Sequence, residues 1–66
     1  MVELALMRPA EIERIIKADG WYLLRQKGSH RVYAHPTKPG RVVIPWHGKD
    51  LPAGTVHNIL RVAQIQ

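Results

Sequence analysis

His30 is the side chain of this 66-residue sequence whose surroundings best fit acid–base chemistry. It follows the turn residues Gly28 and Ser29 and is flanked by Lys27 and Arg31. A histidine titrates near pH 6.5, so both protonation states are available at neutral pH. Glycine lets a ligand approach the backbone, and the N–H groups of a tight turn can form an anion-binding concavity. The pattern indicates acid–base chemistry on a phosphodiester, the alternative being an exposed histidine at a strand start with no role.

The other histidines do not form a recognisable metal site. A zinc site would have to combine His35 and His47 with Asp50 or His57, and this spacing matches no zinc pattern. The chain has no cysteine, which excludes thiolate metal sites and a cysteine nucleophile. We therefore predict no metal ion and no cofactor. We expect His35 to cap the end of a strand or to pack against Trp46, and His57 to border the apolar stripe of a helix.

Positive charge is concentrated in the middle of the chain. Ten Lys and Arg residues against five Asp and Glu give a net charge of +5, which in so small a domain favours an anionic partner, nucleic acid first. No acidic residue lies between positions 20 and 49. We predict that the uncompensated charges of this segment form one positive surface; a solvated sheet face that is merely basic is the alternative. These residues are Arg25, Lys27, Arg31, Lys38, Arg41 and Lys49.

The aromatic residues offer one candidate for stacking on a nucleic-acid base. Trp46 lies in a predicted loop within the basic segment, where its ring could be reached by an unpaired base. We expect most of the others, Trp21, Tyr22 and Tyr33, to be structural, because so small a core needs large apolar side chains.

Hydrophobic spacing predicts the order helix, strand, strand, strand, helix. Pro9 begins the first helix after an N-terminal arm over residues 1–8, and Gly20 ends it. The second helix opens at Pro52, with Asp50 nearby as its expected cap or as a partner of the helix dipole. Short turns make the strands an antiparallel meander, of which two amphipathic helices can cover only one face. The sequence thus predicts one α+β domain over residues 9–66, arranged in two layers like a double-stranded-RNA-binding domain. The predicted bounds are 9–19, 21–26, 30–35, 41–45 and 52 onwards.

Membrane insertion is not expected. No apolar run exceeds four residues, whereas a spanning helix needs about 20. The beginning of the sequence has no secretory pattern, and the absence of cysteine is compatible with a reducing compartment. We expect a cytoplasmic protein.

Four motifs together resemble the HicA toxins, also called the YcfA-like family. They are G-W at 20–21, G-S-H at 28–30, H-P-T-K-P-G-R at 35–41 and K-D-L-P-A-G-T at 49–55. The resemblance extends over residues 9–64, nearly the whole chain. It implies the fold of a double-stranded-RNA-binding domain, cleavage of mRNA by an endoribonuclease, and inhibition by a HicB antitoxin encoded beside the toxin.

The same resemblance implies that His30, the histidine of G-S-H, is catalytic. Cleavage by 2′-hydroxyl attack also requires protonation of the leaving oxygen, so His30 would act twice in sequence or with the help of water. Lys27 or Arg31 could stabilise the phosphorane charge. A non-catalytic RNA-binding module and a regulator that has lost its activity are the alternatives. The residues expected to bind RNA are Lys27, Gly28, Ser29, Arg31, Lys38, Arg41 and Lys49.

Overall fold

A computed structural model describes residues 7–65, which form two helices and a three-stranded antiparallel sheet. Both the α+β class and the order helix, strand, strand, strand, helix are as predicted from the sequence. Residues 1–6 of the predicted N-terminal arm lie outside the described residues. Within residues 7–65, neither helix has the length and apolarity that crossing a bilayer requires. The elements are α1 (Pro9–Ala18), β1 (Tyr22–Lys27), β2 (His30–Ala34), β3 (Val42–Pro45) and α2 (Ala53–Val62).

Helix α1 begins at Pro9 because Arg8 is extended and proline is tolerated at the first helical position. The N–H of Arg8 donates a 2.9 Å hydrogen bond to Oε1 of Glu11, which closes the N-terminal turn. Ile12 and Ile16 lie one turn apart on the face towards the sheet and are fully buried.

Strand β2 lies at the centre of the sheet, between β1 and β3. Alternation along the strands puts Tyr33, Val42 and Ile44 on the face that the helices cover, and all three are at most 1% exposed. His30 and Val43 belong to the opposite face. We call that opposite side of the sheet the open face.

Strand β1 is exposed along its whole length and contains a bulge. The register skips Leu24: Leu23 lies opposite Tyr33, and Arg25 lies opposite Val32. A bulge shifts the alternation of side chains by one residue. Open-face positions on β1 are therefore Tyr22, Arg25 and Lys27.

The core lies between the covered face of the sheet and the two helices. Trp21 is 1% exposed, and its indole N–H donates a 3.2 Å hydrogen bond to the carbonyl oxygen of Ala63 beyond the end of α2. Leu51 is buried and pairs with Met7 in an isolated antiparallel bridge. The buried apolar cluster comprises Ile12, Ile16, Trp21, Tyr33, Val42, Ile44, Leu51, Val56, Ile59, Leu60 and Ala63.

The start of α2 differs from the sequence prediction. Pro52 is the N-cap residue, and no side chain forms a capping hydrogen bond there. The predicted capping role of Asp50 is therefore wrong. Instead, Oδ1 of Asp50 lies 3.8 Å from Nε of Arg8, in an exposed ion pair that joins this loop to the start of α1.

Candidate functional site

His30 is the first residue of β2 and is exposed on the open face of the sheet. It lies directly opposite Lys27 on β1 and Pro45 on β3. The turn between β1 and β2 therefore has only two residues, Gly28 and Ser29. Gly28 has φ +58°, and a glycine at the first turn position lets two antiparallel strands connect this tightly. A Cβ at Gly28 would meet nothing within 4 Å, so the backbone here is open to a ligand.

Hydrogen bonds fix the turn that carries His30. The side-chain amide of Gln26 donates to the carbonyl oxygen of Gly28 at 3.2 Å. The backbone N–H of Trp46 donates to the carbonyl oxygen of Ser29, which attaches the turn to the residue after β3. Hydrogen bonds from β1 and from the residue after β3 therefore fix the turn that positions the imidazole.

Unpaired positive charge lies beside His30 on the open face. Lys27 is its cross-strand neighbour, and Arg25 lies opposite Val32 on the same face. Both side chains are exposed, and neither makes an ion pair with any residue in 7–65. Cross-strand neighbours have Cβ atoms about 5 Å apart. An anion that contacts His30 is therefore within reach of Lys27.

Arg31 points to the covered side of the sheet instead. Its Nη1 lies 2.9 Å from Oε2 of Glu13 on α1, and its side chain is only 24% exposed. Its guanidinium carbon lies 3.7 Å from the centroid of the Trp46 ring, in a cation–π contact. Glu13 also accepts a short hydrogen bond from the hydroxyl of Tyr33. Arg31 and Trp46 thus contact each other on the covered side of the sheet, next to the turn. The guanidinium of Arg31 covers one face of the Trp46 ring.

This cluster shifts the pKa of Glu13. Burial raises the pKa of the carboxyl, but the hydrogen bonds from Tyr33 and Arg31 and the charge of Lys17 outweigh it, so the pKa lies below the ordinary value. The pKa of Tyr33 is raised, by burial first and by its hydrogen bond to Glu13 second. The lowered pKa favours an ionised Glu13 carboxylate, which holds Arg31 on the covered side, and the raised pKa keeps Tyr33 protonated as a hydrogen-bond donor.

Lys38 is also compensated. Its Nζ lies 2.5 Å from Oδ2 of Asp19 at the C-terminal end of α1. The same ammonium donates to the carbonyl oxygens of Ala63 at 3.2 Å and Gln64 at 3.0 Å, which follow α2. The hydrogen bond from Lys38 lowers the pKa of Asp19. Lys38 thus binds the ends of both helices together.

His35 completes the same arrangement. Its Nδ1 accepts the backbone N–H groups of Thr37 at 3.0 Å and Lys38 at 3.1 Å, so its Nε2 carries the proton and donates to the carbonyl oxygen of Asp19 at 2.8 Å. His35 therefore closes the turn after β2, as expected. Its aromatic partner is Trp21, with ring centroids 5.1 Å apart, and not Trp46, which is the other alternative that the sequence leaves open. We call Asp19, His35 and Lys38 the clamp.

The prediction that the charges between residues 20 and 49 are uncompensated is thus wrong for Arg31 and Lys38. Their partners, Glu13 and Asp19, come from α1, outside that segment. Evidently, counting charge along the chain cannot detect an acid that the fold brings in from another element.

Arg41 and Lys49 are exposed and lie on opposite sides of β3 in the sequence. Arg41 precedes the strand, and its guanidinium donates to the carbonyl oxygen of Gly40 at 3.1 Å. Lys49 follows the strand, in the loop where its N–H donates to Nδ1 of His47 at 3.2 Å. Pro45, the last residue of β3, lies opposite His30. Lys49 therefore follows the end of β3 that is next to His30, and Arg41 precedes the other end. Residues 7–65 contain no group of three or more potential metal ligands.

Tyr22 is a feature of the open face that the sequence did not reveal. Its side chain is 49% exposed, and Val43 on the same face is 44% exposed. The bulge at Leu24 brings Tyr22 onto the same face as Arg25 and Lys27, and nothing in the sequence marks that bulge. The exposed aromatic residue beside the basic residues is therefore Tyr22, whereas Trp46 is partly packed against the core.

Comparison with known families gives one match. The family described as HicA toxin of bacterial toxin-antitoxin matches residues 9–65, which is nearly the whole chain. A comparison with curated proteins finds no match.

Proposed function

Because the chain belongs to the HicA toxin family of bacterial toxin–antitoxin systems, we propose that it is an endoribonuclease that cleaves mRNA through His30 without a metal ion. His30 is exposed, anchored by a fixed turn and placed directly across from an unpaired lysine. This juxtaposition of His30 and Lys27 is the observation that carries the proposal. The site of action is the cytoplasm, where mRNA is available.

The proposed reaction is attack of a ribose 2′-hydroxyl on its own phosphodiester. Neutral His30 accepts the 2′-hydroxyl proton while the 2′-oxygen bonds to phosphorus. The bond from phosphorus to the 5′-oxygen then breaks, and this oxygen takes a proton from the imidazolium or from water. The products are a 2′,3′-cyclic phosphate and a 5′-hydroxyl, and His30 returns to its starting state when it supplies that proton.

In this mechanism Lys27 stabilises the negative charge of the phosphorane. Its ammonium is exposed on the same face as His30, so it can approach the non-bridging oxygens as negative charge develops on them. Arg31 was an equal candidate in the sequence. Its ion pair with Glu13 on the covered side favours a supporting role under the turn.

The proposed partner is a HicB-like antitoxin that inhibits by covering His30 or the positive charge next to it. A standard interface takes about 800 Å² from each partner, a large share of the chain's accessible surface of 4390 Å². We expect the antitoxin to be acidic where it meets Lys27 and Arg25. A complex that leaves His30 and its turn open to solvent would contradict steric inhibition.

The test is a cleavage assay with an unstructured RNA, comparing wild type with His30→Ala. We expect wild-type cleavage to continue in EDTA and to leave 2′,3′-cyclic phosphate ends. We expect the folded variant to lose cleavage but to keep most of its RNA affinity, since binding depends on Lys and Arg charges. Cleavage that EDTA abolishes would contradict metal independence. A His30→Ala protein that cleaves at a rate near that of wild type would indicate that His30 is not catalytic, and RNA binding without any cleavage would favour the non-catalytic module.

A further inference from the structure

We propose that the open face of the sheet is a track for single-stranded RNA, on which Tyr22 stacks an RNA base away from the cleaved bond. This inference rests on the proposed function, because RNA is its occupant. Tyr22 is the first residue of β1 and lies opposite Ala34, whereas Lys27 and His30 form the pair at the other end of β1. At roughly 3.3 Å per residue, the four steps from His30 to Ala34 along β2 separate the two places by about 13 Å.

Composition and charge of the open face favour a nucleic acid over a protein. Between Tyr22 and His30 lie Arg25 and Lys27, which carry no ion pair with any described residue. The acidic residues of the described chain lie on α1, directly after it, or in the loop before α2, so none interrupts this face. An exposed aromatic ring followed by unpaired cations suits single-stranded nucleic acid, whose phosphates bind cations and whose bases stack on rings.

The bulge in β1 is what makes the arrangement possible. With regular alternation, Tyr22 and Arg25 would point to opposite faces of the sheet. The skipped register at Leu24 puts them on the same face. The half-exposed ring of Tyr22 therefore lies on the same face as Arg25 and Lys27, which lie between it and His30.

Because Tyr22 lies about 13 Å from His30, its base does not take part in proton transfer. The expected signature of Tyr22→Ala is therefore a raised KM with an unchanged kcat at saturating RNA. Tyr22 would then select or retain a nucleotide about 13 Å away from the cleaved bond.

Binding to a fluorescein-labelled unstructured oligoribonucleotide tests this inference in a His30→Ala background, where the RNA stays intact. We expect Tyr22→Ala and Tyr22→Leu to weaken binding by roughly 5- to 150-fold, the loss of one stacked base, and Tyr22→Phe to stay within about twofold. Leu23→Ala is the matched control, because Leu23 is 40% exposed on the same strand but belongs to the covered side. It should change affinity by less than about twofold.

Salt dependence separates stacking from charge. Lys27→Gln should reduce the slope of log affinity against log salt by about 0.7, whereas the Tyr22 variants should leave the slope unchanged.

Circular dichroism melts verify that each variant is folded. Photocrosslinking of 4-thiouridine RNA to the His30→Ala protein with an intact Tyr22 gives a readout independent of the Tyr22 variants: adducts should map to β1.

Several outcomes would overturn the inference. Equal effects of Tyr22→Ala and Leu23→Ala, or adducts confined to the helices, would exclude stacking on Tyr22 while leaving cleavage by His30 intact. Tyr22→Ala that weakens a complex with an acidic antitoxin but not RNA binding would make the face a protein interface. Tyr22-dependent RNA binding without cleavage by wild type would refute only the proposed function, and a wild type that neither binds nor cleaves RNA would refute both.

Discussion

The turn before His30 and the turn after His35 each have a histidine and a lysine beside or within them. The two pairs differ in whether an acidic residue contacts them. His30 and Lys27 face each other on the open face, where neither is engaged by an acidic residue in 7–65. In the clamp, His35 and Lys38 are both bonded to Asp19, and Lys38 also binds the backbone that follows α2.

The two regions contain the same residue types and differ in the partners that the fold brings to them. Both ring nitrogens of His35 are occupied by hydrogen bonds, so His35 has no free atom with which to move a substrate proton. Lys38 is likewise committed to the fold. Of these two histidine–lysine pairs, the pair on the open face is the one without an acidic partner among residues 7–65.

Replacing each histidine by alanine in turn tests the difference between the two regions most directly. His30→Ala should lower cleavage by at least about 10²- to 10⁴-fold with an unchanged melting temperature, because a general acid–base is lost and little of the core depends on it. His35→Ala should instead lower the melting temperature, and its folded fraction should cleave normally. Single-turnover cleavage and thermal melts measure both. Loss of cleavage in folded His35→Ala protein would contradict the division of roles.

A glycine next to the clamp tests how tightly this region is packed. Gly20 has φ +114°, and a Cβ there would lie 2.7 Å from Nε2 of His35. Gly20→Ala should therefore destabilise the fold by about 2–4 kcal/mol, through backbone strain and displacement of the ring. Gly54→Ala is the matched control, since Gly54 lies in α2 with open space around it, and alanine favours a helix. Urea unfolding of both variants measures the contrast, and similar stabilities would refute the packing argument.

The two lysines separate stability from RNA binding. Lys38→Met should cost about 1–2 kcal/mol, because it removes three donated hydrogen bonds, one of which is the charged bond to Asp19. Lys27→Met should change stability by less than about 0.5 kcal/mol, since its side chain is exposed. RNA binding should show the reverse order, with a reduced salt slope only for Lys27→Met. Thermal melts and binding titrations measure both effects, and a reduced salt slope in folded Lys38→Met protein would place Lys38 on the RNA.

Much of the fold could be predicted from sequence because its signals are local. Pro9 and Gly20 bracket α1, and the short Gly28–Ser29 connection forces β1 and β2 to pair. Each predicted end of an element either coincides with the observed end or differs from it by one residue.

The partners of the side chains could not be predicted, because they depend on contacts between distant residues. Arg31 and Glu13 are 18 positions apart, and Lys38 and Asp19 are 19 apart. The position of Tyr22 on the open face depends on a bulge that has no sequence signature. The role of His30 remains a prediction from the motif and its family.

The smallest expected effect concerns the other compensated cation, Arg31, and its partner Glu13. The folded-state pKa of Glu13 lies below its ordinary value of 4.5, because the hydrogen bonds from Tyr33 and Arg31 and the charge of Lys17 outweigh the effect of burial. Its contribution to stability is therefore complete above about pH 4.5 and is lost as the pH falls through the folded-state pKa. Glu13→Gln retains an acceptor for Tyr33 but not the charge, so it should cost about 1 kcal/mol or less at pH 6, and the difference from wild type should shrink towards pH 3. Urea unfolding at pH 6, 4.5 and 3 measures this difference, and one that stays constant or grows on acidification would show that the carboxylate charge does not hold Arg31 in place.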